Sequence, residues 1–196
     1  MGGTDHQLVA TLAQEALTAG REAGTVAGMQ TAEFNPSLAR LFSELVEGAA
    51  PDGAFILNSG DAGLLRSLDR IPASDASRSA NGGATIAAHA QHVRYGLSLM
   101  NRWARDGGNP FADATWDAAW KISVVDDHAW QEIRDGLRAE AQRWLDALAT
   151  PRQASDIELS GMVGSIAHLA YHLGAIRQIG KDTRGPKEGQ FERPAQ

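Results

Sequence analysis

Two pairs of histidines are the residues of this sequence whose type and spacing could do chemistry. His168 and His172 lie four residues apart in GSIAHLAYHLGAIRQI, and His89 and His92 lie three apart in AAHAQHV. Either spacing places both side chains on one face of a helix. A divalent transition metal needs imidazole nitrogens that converge on one point. The spacing therefore predicts a metal site. The alternative is a set of hydrogen-bonded helix histidines near a dimer surface.

The ligand chemistry is restricted by the absence of cysteine from the chain. Disulfides and thiolate nucleophiles are excluded, and a bound metal must be held by nitrogen and oxygen ligands. Imidazole suits zinc, nickel, iron and copper alike, so the sequence does not identify the element. The turn between His168 and His172 contains no Asp or Glu. This disfavours the metalloprotease arrangement, in which a glutamate follows the first histidine.

The elements that must position these histidines are helices. Apolar residues recur at helical spacing in several stretches, which span about residues 5–21, 35–48, 54–71, 84–107, 126–150 and 155–180. No segment alternates with a period of two, so no sheet is expected. Several amphipathic helices are typical of a helical bundle, and the sequence therefore predicts an all-α protein.

Capping residues mark the expected ends of these helices. Asn35, Ser155, and either Asp126 or Asp127 are of the types whose side chains accept a backbone N–H at a helix start. Gly48, Gly107 and Gly180 follow the last periodic residues of three helices. The intervening segments 72–83 and 108–125 are predicted to be loops, and the second carries two tryptophans.

Helical positions place the histidines differently relative to the apolar faces. In the last helix His168 and His172 flank a stripe formed by Met162, Ile166, Leu169, Leu173 and Ile176. The earlier helix has a stripe formed by Ile86, Ala90, Val93, Leu97 and Met100. At ~100° per residue, His89 lies about 60° from the centre of that stripe and His92 about 120°. Periodicity alone therefore selects His89 as the inward residue. His6 and His128 lie near helix starts and receive no role.

Charge and hydropathy narrow the classes of partner. The formal net charge is −6, without the basic stripe that nucleic-acid binding needs. No apolar run approaches the ~18 residues of a membrane span. The first residues, MGGTDHQLVATLAQEAL, lack the basic start and apolar run of a signal peptide. We therefore expect a cytoplasmic protein that binds neither nucleic acid nor membrane.

The two histidine-bearing stretches together resemble the DinB/YfiT-like superfamily of metal-dependent four-helix proteins. Members show a Thr-Ile entry followed six or seven residues later by a histidine, and a last helix with the pattern HxxxHxGQI. Here Thr85-Ile86 leads to His92, and the second motif is matched by His168, His172, Gly174, Ala175 and Ile176. The resemblance covers roughly residues 54–179. Two departures are Ala84, where a tryptophan is usual, and Gln178, which stands later than the common glutamine.

The resemblance implies that His92, His168 and His172 ligate one divalent transition metal, for which zinc, nickel and iron are the candidates. It places His89 at a position that is usually apolar, where the residue would support a ligand from behind, line the wall of the site, or be the true ligand in place of His92. It further implies an up-down-down-up four-helix bundle of the DinB-like type over residues 51–180. Residues 1–50 would form an N-terminal helical extension that packs outside this core. Residues 181–196 are charged and rich in glycine and proline, and this composition predicts a flexible tail. Related bundles often pair, so a homodimer is expected.

Three neutral histidines leave coordination positions for water or substrate, as in catalytic rather than structural sites. The resemblance implies a metal-dependent thiol S-transferase that combines a low-molecular-weight thiol with a small-molecule electrophile. The absence of cysteine fits a thiol that comes from the cosubstrate. Two alternatives stay open at this point. One is a hydrolase that uses a metal-activated water, and the other is a non-catalytic, stress-related bundle that binds metal or a partner.

Overall fold

Helices dominate the computed structural model, which describes residues 29–187. Within these residues the α-helices are α1 (Asn35–Glu47), α2 (Gly63–Asp69), α3 (Ala73–Ala76), α4 (Ile86–Asp106), α5 (Trp116–Trp120), α6 (Asp127–Ala149) and α7 (Asp156–Ile179). A 3-10 turn follows at Lys181–Thr183. The prediction of a mostly helical protein is confirmed for this part of the chain. The helix predicted near residues 5–21 lies outside the described residues.

The four longest helices, α1, α4, α6 and α7, contribute to one hydrophobic core. Both apolar stripes predicted from the sequence, on α4 and on α7, are buried throughout. Helix α1 supplies Leu38, Phe42, Leu45 and Val46 to the same core. Residues 35–47 therefore contribute to the same core as the other long helices, and the division of the chain at residue 51 stays a prediction. The amphipathic face of α1 is buried in this core, as is expected of a helix with one apolar side.

Side-chain caps fix the starts of the three longest helices. The Thr85 hydroxyl accepts the N–H of Ala88 at the start of α4, and Asp126 accepts the N–H of Ala129 at the start of α6. Ser155 and Glu158 form a reciprocal capping box at the start of α7. The predicted caps at Ser155 and Asp126 are confirmed.

The predicted cap of α1 is displaced by one residue. Phe34, which offers no side-chain cap, occupies the N-cap position, and Asn35 is already helical. The carbonyl of Thr31 accepts the N–H groups of both Phe34 and Asn35. Because this turn leads directly into the helix, the chain enters α1 without needing the Asn35 side chain as a cap.

The segment 54–71 forms a helix only at its end, over Gly63–Asp69. The buried carboxylate of Glu44 accepts the backbone N–H groups of residues 55–57 at 2.6–3.1 Å. These N–H groups are therefore committed to a side chain of α1. The predicted long helix is wrong over residues 54–62. Helical periodicity describes neighbours within one segment, whereas this contact joins positions eleven or more residues apart.

Two glycines bring the end of α1 close to the start of α2. Gly48 ends α1 with φ 107°, and a Cβ there would lie 2.2 Å from the carbonyl oxygen of Asp61. Gly63 has φ 69°, and its Cβ would lie 2.4 Å from the nitrogen of Gly48. Both positions thus require glycine, for conformation and for space.

Four short elements were not predicted. Helices α3 and α5 lie inside the segments 72–83 and 108–125, which we expected to be loops. β1 (Met29–Gln30) pairs antiparallel with β2 (Gln153–Ala154), so the entry to α1 is tied to the entry to α7. Two residues per strand are too few to give a sequence pattern with a period of two.

The beginning of the predicted flexible tail packs against the rest of the protein. Thr183 is buried, and the Arg184 guanidinium donates to the carbonyl of Arg177. Asn58 donates to the carbonyl of Pro186. Residues 181–187 therefore contact the rest of the protein, and residues 188–196 lie outside the described part. None of the helices described is long and apolar enough to cross a membrane.

Helices α4 and α7 run antiparallel along their contact. His89 faces His172 near one end of that contact, and Trp103 faces Glu158 near the other. Residues that are one turn apart on α4 therefore meet residues that are one turn apart on α7. This arrangement brings the two histidine pairs together.

Candidate metal centre

Helix α7 sets two imidazoles on neighbouring turns with their Nε2 atoms close together. The Nε2 atoms of His168 and His172 are 2.9 Å apart. His172 is fully buried, whereas His168 is partly exposed. The neighbouring residues Leu169 and Leu173 belong to the core stripe and hold this face of α7 in place. The predicted pair on one helix face is thus present.

Helix α4 adds a third imidazole to this pair. The Nε2 atom of His92 lies 3.1 Å from that of His168. One ring nitrogen from each of His92, His168 and His172 lies within 4.8 Å of the other two. The structure therefore brings together the three histidines that the family resemblance selects, in an arrangement that could hold a metal ion.

The spacing of these nitrogens suits metal coordination. A tetrahedral ion with metal–nitrogen bonds of about 2.0–2.1 Å holds its nitrogen ligands about 3.3 Å apart. The observed separations of 2.9 and 3.1 Å are close to that value.

His89 joins the cluster from the other side of the His172 ring. Its Nδ1 atom lies 2.9 Å from Nδ1 of His172, and its side chain is buried. The helical wheel predicted correctly that His89 points inward. It did not predict that His92 is buried as well, with 5% exposure against 9% for His89.

The burial of His92 is explained by helix α5. The ring of Trp120 stacks on His92 with centroids 4.2 Å apart and an interplanar angle of 24°, and Trp116 packs beside it at 5.3 Å. His92 lies off the apolar stripe of α4, yet these two rings cover it. The sequence contained a signal for this contact, since two tryptophans four residues apart share a face if their segment is helical.

The aromatic cover extends around the cluster. The edge of Trp120 contacts His89 at 5.4 Å, and its ring lies 5.8 Å from that of His172. Tyr171 contacts His172 edge-to-face. Such apolar walls lower the local dielectric and strengthen electrostatic interactions inside the site. A cation bound there would interact strongly with its ligands.

The donor set of the cluster consists of imidazoles alone. Among the described residues, the group that could hold an ion comprises His92, His168 and His172 and includes no carboxylate. Neutral imidazoles leave the charge of a divalent cation uncompensated. A site of this kind therefore favours an anionic further ligand, such as a thiolate or a hydroxide.

The remaining histidines are not part of this cluster as far as the structure describes them. The side chain of His128 is 83% exposed and lies 3.8 Å from the carboxylate of Glu132. His6 lies outside the described residues. His128 is consequently a suitable control position for experiments on the cluster.

Comparisons with known proteins give no match: no family model, curated protein or solved structure matches this chain at a significant level. The resemblance to the DinB/YfiT-like superfamily accordingly rests on the sequence motifs alone. The case for a function is made by the histidine cluster and its surroundings.

Proposed function

We propose that this chain is a metal-dependent enzyme that holds one divalent transition metal through Nε2 of His92, His168 and His172. The observation that carries the proposal is the convergence of these three like atoms, with contacts of 2.9 and 3.1 Å at His168. Zinc, nickel and iron are the candidate ions, because imidazole suits all three.

The chemistry of imidazole explains why convergence favours a cation. A neutral imidazole has one N–H and one lone pair on its two ring nitrogens. Nε2 of His168 faces two other Nε2 atoms, and a single proton can bridge only one of these contacts. A cation that accepts three lone pairs satisfies all three nitrogens at once.

The histidine cluster is partly exposed on one side and covered by aromatic side chains on the other. His168 is partly exposed, so the cluster is open to approach along this ring. Trp116 and Trp120 cover His92 and keep water from that side. When bound, a divalent cation in this position would act as a Lewis acid that lowers the pKa of a thiol or water at its open position.

We propose thiol transfer to a small electrophile as the reaction. Support comes from the neutral donor set, which favours a thiolate, and from the absence of cysteine in the chain. The cluster itself contains no carboxylate that could act as a base toward water. The histidine motifs and the four long helices are in keeping with a DinB-like four-helix bundle, which is part of the proposal.

The test is a metal titration combined with an activity assay. Purified protein, freed of metal by a chelator, is titrated with zinc, nickel and ferrous iron, and is then incubated with a panel of low-molecular-weight thiols and chlorodinitrobenzene. We expect one ion per chain and conjugate formation that requires the ion. His168→Ala should lose both properties, whereas His128→Ala should keep both.

Other outcomes of this test would contradict the proposal in distinct ways. Ester or amide cleavage that needs metal but no thiol would indicate a hydrolase. Metal binding without turnover of either kind would indicate a non-catalytic bundle. If wild-type protein binds none of the three ions, the histidines are structural and the enzyme proposal is wrong.

The expected homodimer is also kept as a proposal. Val163 and Tyr171 expose about half of their surface on α7, at 50% and 57%, and supply apolar surface for pairing. Light scattering measures the assembly directly, and a monomer at all concentrations would contradict pairing.

A further inference from the structure

The ring of His172 is held at both of its nitrogens. Nε2 points to His168, at 2.9 Å, and Nδ1 points to Nδ1 of His89, also at 2.9 Å. His172 is fully buried, and His89 is 9% exposed. We infer that His89 is a positioning residue, which fixes the tautomer of His172 so that its Nε2 lone pair faces the metal. This inference rests on the proposed function.

The contact between the His89 and His172 rings can hold one proton. Two imidazole nitrogens at 2.9 Å form a hydrogen bond when one carries the proton and the other offers its lone pair. Two protons would clash there, and two lone pairs would repel each other. The contact therefore ties the tautomer of one ring to the tautomer of the other.

Metal ligation by His172 would set the direction of that hydrogen bond. A neutral His172 that ligates through Nε2 carries its proton on Nδ1, and it must donate this proton to Nδ1 of His89. His89 then carries its own proton on Nε2. Without ligation, either direction satisfies the pair. Metal binding through Nε2 of His172 allows only one direction of this hydrogen bond. His89 would then accept the proton of a metal-bound histidine, as carboxylates and carbonyls commonly do.

The His89 ring is itself held in place by its neighbours. It lies one turn before His92 on α4, so the same helix carries a ligand and the partner of another ligand. The edge of Trp120 packs on the His89 ring at 5.4 Å, with an interplanar angle of 89°. Rotation of His89 away from His172 is hindered by this contact and by the burial of both rings.

A matched pair of variants tests the inference through metal affinity. His89→Asn places an amide oxygen near the position of Nδ1 and can accept the His172 proton. His89→Leu has nearly the same shape and cannot accept it. In zinc titrations at fixed pH, we expect His89→Leu to lose about 10–100-fold in affinity, as for other partners of metal-bound histidines. The zinc affinity of His89→Asn should stay much closer to that of the wild type, and His128→Ala should have the wild-type affinity.

Nitrogen NMR of the histidine rings in the zinc-loaded wild type provides a test that needs no variant. The proton of His172 is expected on Nδ1 and that of His89 on Nε2. Zinc bound directly to His89, the opposite tautomers, or equal zinc affinities for the Leu and Asn variants would overturn the inference. Failure of wild-type protein to bind zinc, nickel or iron would instead contradict the proposed function. The two failures are thereby distinguished.

Discussion

The two ends of the contact between α4 and α7 bury polar side chains in opposite ways. At the histidine end, formed by His89, His92, His168 and His172, ring nitrogens face ring nitrogens. At the tryptophan end, formed by Trp103, Arg152, Ser155 and Glu158, donors face acceptors. Trp103 Nε1 donates to Glu158, Ser155 donates to the same carboxylate, and the Arg152 guanidinium lies 5.2 Å from the Trp103 ring centroid.

The difference lies in how the polar groups are paired. At the tryptophan end the indole N–H of Trp103 and the groups of Ser155 donate to the Glu158 carboxylate, and these hydrogen bonds should contribute to the free energy of unfolding with or without metal. At the histidine end, the ring nitrogens of His92, His168 and His172 lie where a cation could bind all three. Its contribution to stability should therefore depend on the metal that is present.

The largest expected effect is the loss of zinc-dependent stabilisation when a ligand is removed. Zinc at 100 times its dissociation constant should stabilise the wild type by about 2.7 kcal/mol, since it binds the folded state only. His172→Ala should abolish this increment, because only two of the three imidazoles remain. Loss of a hydrogen-bond partner of a metal-bound histidine typically lowers metal affinity about 10–100-fold, and loss of a ligand itself should lower it further. Urea unfolding with and without zinc measures both quantities.

A control for this experiment comes from the tryptophan end. Trp103→Phe should keep the full zinc increment, because Trp103 lies near the opposite end of the helix contact. An equal loss of the increment in both variants would show that zinc acts through overall folding and would remove the distinction between the two ends.

The next effect in size is the stability cost of removing a donor at the tryptophan end. Trp103→Phe keeps an aromatic ring in a position that is 7% exposed but removes the indole N–H that donates to Glu158. The free energy of unfolding should fall by about 1–3 kcal/mol, with or without zinc. Chemical denaturation in a chelating buffer gives the value. A cost that appears only in the presence of zinc would contradict the comparison.

How far the sequence predicted these two ends depends on how local their determinants are. The capping box of Ser155 and Glu158 spans four residues, and Ser155 was predicted as the cap of α7 from a local pattern. The stripes on α4 and α7 were predicted from helical periodicity, and they are buried. His168 and His172 lie on one helix, so their proximity also followed from spacing alone.

The parts that sequence reasoning missed depend on contacts between distant segments. Residues 55–57 bind the Glu44 carboxylate instead of extending a helix. His92 is buried because α5 covers it, and periodicity within α4 carries no information about α5. The family motif selected His92 where the wheel did not. The role of His89 as a partner of His172 required the three-dimensional placement of both rings.

The smallest expected effect is a pH dependence at the tryptophan end. Burial alone would raise the pKa of Glu158, but hydrogen bonds from Ser155 and Trp103 and the nearby Arg152 outweigh it and hold the pKa below its ordinary value. The unfolded chain therefore binds a proton at higher pH than the folded one. The contribution of Glu158 is present above the unfolded pKa of about 4.3, and it is lost as the pH falls through the lower folded pKa.

Glu158→Gln isolates this contribution, because glutamine also serves in a capping box but does not ionise. The stability difference between wild type and Glu158→Gln should shrink as the pH is lowered from about 6 to about 3, measured as urea midpoints at constant ionic strength. In the Trp103→Phe background the pH dependence should be weaker, because one hydrogen bond to the carboxylate is missing. A difference that stays constant with pH would mean that Glu158 stabilises α7 without its charge, and the tryptophan end would then depend on uncharged hydrogen bonds and packing.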